Sequence, residues 1–141
     1  MIILAVDLGK ARTGFAVSDP GGQFAFPRGV ITEYVTERLV EKICREAETV
    51  GAERIVVGLP RNMDGSCGER AKECTLIAEQ VGQKSGIETV LWDERCTTVA
   101  AYTALDAAGT YGKKRKNTVD AVAAVFILES YLSYLKNQAS K

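Results

Sequence analysis

Acidic residues stand at three points of the chain where they could take part in chemistry. Asp7 ends the apolar run IILAV, the pair Asp93 and Glu94 follows the run TVLW, and Asp120 begins the stretch DAVAAVFILESYL. Burying a carboxylate is costly unless water, a cation or a hydrogen-bond donor compensates its charge. A group of carboxylate oxygens suits Mg²⁺ or Mn²⁺. We therefore predict a divalent metal site made of Asp7, Asp120 and one of the pair Asp93 and Glu94.

Each of these acids also has an ordinary structural explanation when it is taken alone. Asp7 could be a turn residue or a helix cap, and Asp120 could be an acid at the positive end of a helix dipole. Either Asp93 or Glu94 could pair with Arg95. The metal is favoured because the three acids converge, and like charges about 4 Å apart repel unless a cation lies between them.

Phosphoryl transfer is the chemistry that fits such a site. Two ions about 4 Å apart can activate water, stabilise a leaving oxygen and orient an in-line attack. The sequence contains no histidine, which excludes catalysis by Ser-His or Cys-His pairs. Acid–base chemistry here must therefore use other groups, and carboxylates that hold a metal are the candidates.

The positive charges of this chain are unevenly distributed, although its 18 basic and 18 acidic residues give a net charge of zero. The acids lie mostly in helical segments, whereas many cations lie in or beside predicted loops, including the segment TYGKKRKN, which is predicted to be a mobile loop. Beside a carboxylate cluster, such cations are expected to hold a polyanionic backbone. They are Lys10, Arg12, Arg61, Arg70, Arg95, Lys113, Lys114, Arg115 and Lys116.

Hydrophobic patterning predicts the elements that must position these residues. Strands are expected at residues 2–6, 15–18, 24–31, 54–59 and 88–92, the first three joined by short turns. Helical spacing predicts helices at 35–50, at 71–81 ending at Gly82, from Thr97 or Thr98 to Gly109, and at 118–135. Asp120 would then lie in the first turn of the last helix, and Ala121, Ala123 and Ala124 would let that helix approach the sheet closely, bringing Asp120 within reach of Asp7.

The order of these elements predicts an α/β fold. Strands joined by short turns are antiparallel and strands separated by helices are parallel, which gives a five-stranded mixed sheet with helices on both faces. Ligands collect at the carboxyl ends of parallel strands, where Asp7 and the pair Asp93 and Glu94 lie. One domain over residues 1–141 is expected from the length.

The sequence also predicts the cellular location of the protein and the redox state of its cysteines. No apolar run approaches the roughly 20 residues that cross a bilayer, and no basic segment precedes the first strand, so a cytoplasmic protein without a signal peptide is expected. The cysteines form no C-x-x-C pair and are predicted to be reduced structural residues. They are Cys44, Cys67, Cys74 and Cys96.

Four stretches are distributed over nearly the whole chain: VDLGKARTGFAVSDP, VVGLPRNMDGSCGERA, LWDERCTTVAA and KRKNTVDAVAAVFILESYL. Their order and spacing resemble the YqgF (RuvX) family of RNase H-like nucleases, which are related in fold to the RuvC resolvases. The combination of GLP-x-N-M-D-G, DER-x-TT and D-x-x-AA makes the resemblance specific. One departure is Ala101, which stands where the family often has a glutamate, so no further acidic ligand is expected there.

The resemblance implies an RNase H-like fold and a nuclease that depends on Mg²⁺ or Mn²⁺. It assigns catalysis and metal binding to Asp7, Glu94 and Asp120, and it implies a substrate at the 5′ end of precursor 16S rRNA. Further residues on family motif positions are expected to line the site and contact nucleic acid. These are Arg12, Arg61, Asn62, Arg95, Thr97 and Thr98.

Several alternatives remain open at this point. A Holliday junction resolvase acting on four-way DNA needs the same metal site, and it would be expected to act as a symmetric dimer. A non-catalytic RNA-binding factor for ribosome assembly would keep the fold without the activity. A kinase or actin-like ATPase would need two such domains, and 141 residues supply one. The expected partners are therefore pre-rRNA or branched DNA, with ribosomal particles and a monomeric or homodimeric state left open, and no membrane.

Overall fold

A computed structural model describes residues 1–9, 12–59, 68–93 and 112–139 of this chain, with side chains for all of these except residues 112–121 and 139. Within these ranges, no helix combines the length and the apolar character needed to cross a membrane. The elements in chain order are β1 Ile3–Leu8, β2 Arg12–Ser18, β3 Ala25–Thr32, α1 Thr36–Val50, β4 Arg54–Leu59, α2 Glu69–Ser85, β5 Glu88–Asp93 and α3 Gly112–Ala139.

The strands form one five-stranded sheet with the order β3-β2-β1-β4-β5. Strand β2 is antiparallel to both β1 and β3, whereas β4 is parallel to both β1 and β5. This arrangement confirms the predicted mixed sheet. It also makes β1 the central strand, flanked by the antiparallel strands on one side and the parallel strands on the other.

Helices cover both faces of the sheet because β1 and β4 are apolar on both sides. Leu4 and Val6 of β1 belong to a buried cluster with residues of α1 and α2. Ile3 and Ala5, which alternate with them, belong to a second buried cluster with α3. Period-two alternation thus divides the core into two layers, as expected for strands buried on both faces.

Small residues bring α3 close to the sheet, as the sequence predicts. Ala123 and Ala124 are buried, and Ala124 packs in the same cluster as Ala5 and Ala16. Nη1 of Arg54 at the start of β4 donates a 2.9 Å hydrogen bond to the hydroxyl of Tyr131. Nε1 of Trp92 in β5 donates a 3.1 Å hydrogen bond to Oγ of Ser130, so this part of α3 contacts both β4 and β5.

The start of α3 corrects two predictions. The helix begins at Gly112 rather than at residue 118, so the basic residues 113–116 lie in a helix and not in a mobile loop. Lysine and arginine are good helix formers, and the prediction gave charge more weight than helix propensity. Asp120 consequently lies more than two turns inside α3, and the prediction that it stands in the first turn beside unsatisfied backbone donors is wrong.

Other boundaries shift by a few residues. Strand β2 begins at Arg12 rather than at residue 15. Helix α2 continues past Gly82 to Ser85, because Gly82 is a point of close approach rather than a cap: a Cβ there would lie 3.2 Å from Oγ1 of Thr89. Gly86, with a φ of 72°, ends the helix instead. The helix predicted up to Gly109 lies outside the described residues.

The two cysteines within the described residues, Cys44 and Cys74, are thiols, in agreement with the prediction of reduced cysteines. Cys74 of α2 is fully buried in the cluster between α1, α2 and the sheet. Burial raises the pKa of the Cys44 thiol, which favours its protonated form. Both therefore act as small apolar side chains. Cys67 and Cys96 lie outside the described residues.

Candidate active site

Asp7 lies at the carboxyl end of the central strand, where it pairs with Gly14 across the β1–β2 ladder. Its side chain is partly buried. Ile3 and Ala5 pack towards α3, and because side chains alternate along a strand, Asp7 lies on that same face of the sheet. The fold therefore carries a partly buried carboxylate to the end of the central strand, on the face of the sheet that α3 covers.

Asp93 lies on the other face of the sheet. Its register partner in the parallel ladder is Leu59, which is buried in the cluster that faces α1 and α2. Residues paired in a parallel ladder point to the same side, so Asp93 does not share a face with Asp7. The register therefore disfavours Asp93 as the acid that joins Asp7 in a metal site. Glu94, the other candidate, lies outside the described residues.

Asp120 lies in α3, one helical turn before Ala124, which packs in the same cluster as Ala5 of β1. Its side chain is not among those described. Among the side chains that are described, no three histidine, cysteine, aspartate or glutamate residues are grouped so that they could hold a metal ion. The predicted triad therefore stays a prediction.

The connection from β1 to β2 begins at Gly9, two residues after Asp7. The amide of Gly9 donates a 2.8 Å hydrogen bond to the carbonyl oxygen of Arg12, which closes the hairpin between β1 and β2. A Cβ on residue 9 would collide with that same carbonyl oxygen, so only glycine fits here. The sequence motif D-x-G thus has a clear local meaning: the glycine permits the chain to reverse two residues after the aspartate.

Arg70, in the first turn of α2, reaches across to this turn. Its Nη2 donates to the carbonyl oxygen of Leu8 at 2.9 Å and also to the carbonyl oxygen of Gly9. Its Nη1 donates to Oε2 of Glu73 at 2.8 Å, which forms an i,i+3 ion pair on α2. The sequence does not predict these contacts, because Arg70 precedes the helix predicted at 71–81, whereas α2 begins at Glu69 and so places Arg70 and Glu73 at i,i+3.

The remaining predicted contacts to nucleic acid fall into three groups. Arg12, which is partly exposed, begins β2 and pairs with Thr32, at the same end of the sheet as Asp7. The backbone of residues 113–116 lies in the first turns of α3. Predicted contacts outside the described residues are Lys10, Arg61, Asn62, Arg95, Thr97 and Thr98.

Two carboxylates with shifted pKa values hold turns together rather than taking part in the site. Backbone N–H groups of Phe24 and Gln23 lower the pKa of Asp19 in the β2–β3 turn, at the opposite end of β1 from Asp7. The side chain of Lys42 and the amide of Val35 lower the pKa of Glu33, which precedes α1. Both carboxylates are stabilised in their charged form by the local hydrogen bonds that they accept.

Comparison with known proteins agrees with the resemblance found in the sequence. A family model described as "RuvX: Holliday junction resolvase" matches residues 1–134. A protein from Lachnospira eligens named "Putative pre-16S rRNA nuclease" is 40% identical over 138 residues, covering 94% of this chain and 96% of its own length. A protein of the same name from Listeria monocytogenes is 41% identical over 139 residues, covering 94% and 97%.

Solved structures share the fold. RuvC from T. thermophilus in complex with a Holliday junction substrate superimposes with a TM-score of 0.62 at 13% identity, covering 96% of each chain. The Fowlpox virus resolvase, solved with Holliday junction DNA, gives a TM-score of 0.59 at 13% identity, covering 96% of this chain and 99% of its own. These likenesses establish an RNase H-like fold, and the match over residues 1–134 together with relatives at about 40% identity shows that this chain belongs to the RuvX family.

Proposed function

We propose that this protein is a metal-dependent endonuclease that hydrolyses phosphodiester bonds of precursor 16S rRNA. The observation that carries the proposal is the position of Asp7, at the carboxyl end of the central strand and on the face that α3 covers. Relatives at about 40% identity over almost their whole length bear the name of a pre-16S rRNA nuclease, which supports the substrate.

The ligands that we propose for the metal are Asp7, Glu94 and Asp120. Strand alternation disfavours Asp93, because it shares a face with Leu59 rather than with Asp7. Carboxylate oxygens are hard ligands, so this donor set fits Mg²⁺ or Mn²⁺ better than metals that prefer nitrogen or sulfur. The chain has no histidine to offer. The donor chemistry thus fits the metal that the family implies.

The metal would supply an activated water and charge stabilisation for the leaving oxygen. The side chains of this protein would bind and position the substrate. Basic side chains near the carboxyl ends of the strands would bind the phosphate backbone and set its register without reading sequence. Arg12 is suited to this because the β2–β3 ladder fixes its backbone at the same end of the sheet as Asp7. A substrate of this kind implies a cytoplasmic location, and ribosomal particles are the expected partners.

A Holliday junction resolvase is the second candidate, because the matching family model carries that description. A four-way junction has two-fold symmetry, so this activity would need a symmetric dimer with two sites. Cleavage of a single RNA strand has no such requirement. The two candidates therefore differ both in substrate and in the oligomer that does the cutting.

Parallel cleavage assays test both functions. Purified protein is incubated in Mg²⁺ with a precursor 16S rRNA fragment and with a four-way DNA junction, and Asp7→Asn is assayed beside it. We expect cleavage of the RNA, reduced in Asp7→Asn by more than the roughly 10- to 100-fold typical of outer-shell changes. Asp19→Asn is the matched control, since it removes the same charge at the opposite end of β1. Cleavage of neither substrate, or undiminished cleavage by Asp7→Asn, would contradict the proposal.

A further inference from the structure

The carbonyl groups of the two residues after Asp7 share one donor. Nη2 of Arg70 donates to the oxygens of Leu8 and Gly9, the last residue of β1 and the first residue of the turn. A planar guanidinium carries several N–H groups in a fixed fork and can bridge acceptors in this way. One side chain of α2 therefore ties the end of β1 to the helix that packs on the opposite face from α3.

Both backbone polar groups of Gly9 are fixed. Its N–H donates to the oxygen of Arg12, and its C=O accepts from Arg70. Because the Gly9 Cα lies against the Arg12 carbonyl with no room for a side chain, this segment also has little steric freedom. The backbone that immediately follows Asp7 is thereby held by the hairpin and by α2 together.

Glu73 holds the guanidinium in this orientation. Its Oε2 accepts from Nη1 of Arg70 at 2.8 Å, whereas the carbonyls of Leu8 and Gly9 engage the other terminal nitrogen. The side chains of Arg70 and Glu73 are 31% and 60% exposed, so the pair itself adds little to stability. The ion pair instead orients Arg70, because it fixes the plane of the guanidinium that donates to the carbonyls of Leu8 and Gly9.

These contacts change what Arg70 is expected to do. We infer that Arg70 is a positioning residue, which fixes the backbone after Asp7 and thereby the carboxylate of Asp7, rather than a contact to phosphate. This inference rests on the proposed nuclease function. Metal ligands tolerate displacements of about 0.5 Å, and residues that orient them typically change metal affinity or activity by about 10- to 100-fold.

Lysine cannot replace arginine in this role. An ammonium group is a compact point charge without the planar fork that joins two carbonyls to a carboxylate. At a phosphate contact, by contrast, lysine keeps the charge and most of the binding. Arg70→Lys therefore separates positioning from phosphate contact, and Arg70→Ala measures the effect of removing the whole side chain.

The test compares the wild type, Arg70→Ala, Arg70→Lys and Arg45→Ala. The last variant removes one positive charge from an exposed position of α1 and is the matched control. Single-turnover cleavage of the precursor RNA is measured with saturating enzyme. RNA affinity and its salt dependence are measured in EDTA, Mn²⁺ affinity without RNA by electron paramagnetic resonance, and hydrogen exchange at the Gly9 amide by mass spectrometry or NMR.

We expect both Arg70 variants to lower the maximal cleavage rate by about 10- to 100-fold and to weaken Mn²⁺ binding, with RNA affinity and its salt dependence unchanged. Exchange at Gly9 should accelerate while α1 keeps its protection, which shows that the variants are folded. Arg45→Ala should match the wild type in every measurement.

A different pattern overturns the inference. If Arg70→Ala binds RNA more weakly with a salt slope smaller by about 0.7, and Arg70→Lys restores both, then Arg70 contacts phosphate. Wild-type rates and Mn²⁺ affinity in Arg70→Ala would also refute it. A wild-type protein that neither cuts RNA nor binds Mn²⁺ would instead refute the proposed function and the positioning role with it.

Discussion

At the scale of single residues, strand alternation separates two adjacent acids that the sequence cannot distinguish. Asp93 is in register with Leu59 and so belongs to the face covered by α1 and α2, whereas Asp7 belongs to the face covered by α3. The register therefore disfavours Asp93 as the residue that joins Asp7, and the family resemblance implies Glu94.

Neutralising these two neighbours one at a time should give opposite results. Glu94→Gln should lower the single-turnover rate of RNA cleavage by more than about 100-fold, because it removes a proposed metal ligand. Asp93→Asn should keep the wild-type rate, because its side chain lies on the other face of the sheet. Each change replaces a carboxylate by an amide of the same shape, so each variant is the control for the other. Equal losses of activity, or a loss confined to Asp93→Asn, would contradict the assignment.

At the scale of elements, α3 sets the distance between the last predicted ligand and the central strand. Ala124 is fully buried against a sheet surface that includes Ala5 and Ala16. Small side chains on both partners allow this approach, and Asp120 lies one helical turn before Ala124. The proposed site would thus depend on packing at a position that carries no chemistry of its own.

A larger side chain at Ala124 should therefore impair both stability and activity. Ala124→Leu adds volume to a closely packed interface, which costs about 1–3 kcal/mol of unfolding free energy. It should also slow RNA cleavage, since α3 must move away from β1. Urea unfolding measures the first effect, and single-turnover cleavage without denaturant measures the second. Ser133→Leu, at an exposed position of the same helix, should change neither. A stable and fully active Ala124→Leu would show that this distance is not critical.

At the scale of the whole molecule, the sequence predicts the sheet better than the ends of its elements. Apolar runs buried on both faces identify β1 and β4, because burial leaves few alternatives for such segments. The start of α3 is harder to predict, because helix propensity and charge point in opposite directions for residues 113–116. The contacts of Arg70 could not be predicted either, since its acceptors are backbone carbonyls about sixty residues away in the chain.

The zero net charge of the molecule makes the placement of its cations decisive for binding RNA. Because the molecule as a whole does not attract RNA, affinity must come from contacts between individual cations and phosphates. The number of these contacts sets the salt dependence of binding. Residues 113–116 belong to a helix, and positions three apart on a helix share a face. Lys113 and Lys116 are therefore the pair in this segment best able to act on one surface together.

Removing this pair should change the salt dependence of RNA binding, whereas removing two other cations should not. Lys113→Gln/Lys116→Gln should reduce the slope of log affinity against log salt by about 0.7 for each single-strand phosphate that is no longer neutralised. Arg38→Gln/Arg45→Gln removes the same charge from exposed positions of α1, across the sheet from α3, and should leave the slope unchanged. Filter binding or fluorescence anisotropy in EDTA over a range of salt concentrations provides both slopes. Equal changes in the two variants would mean that overall charge, rather than the position of the cations on α3, governs binding.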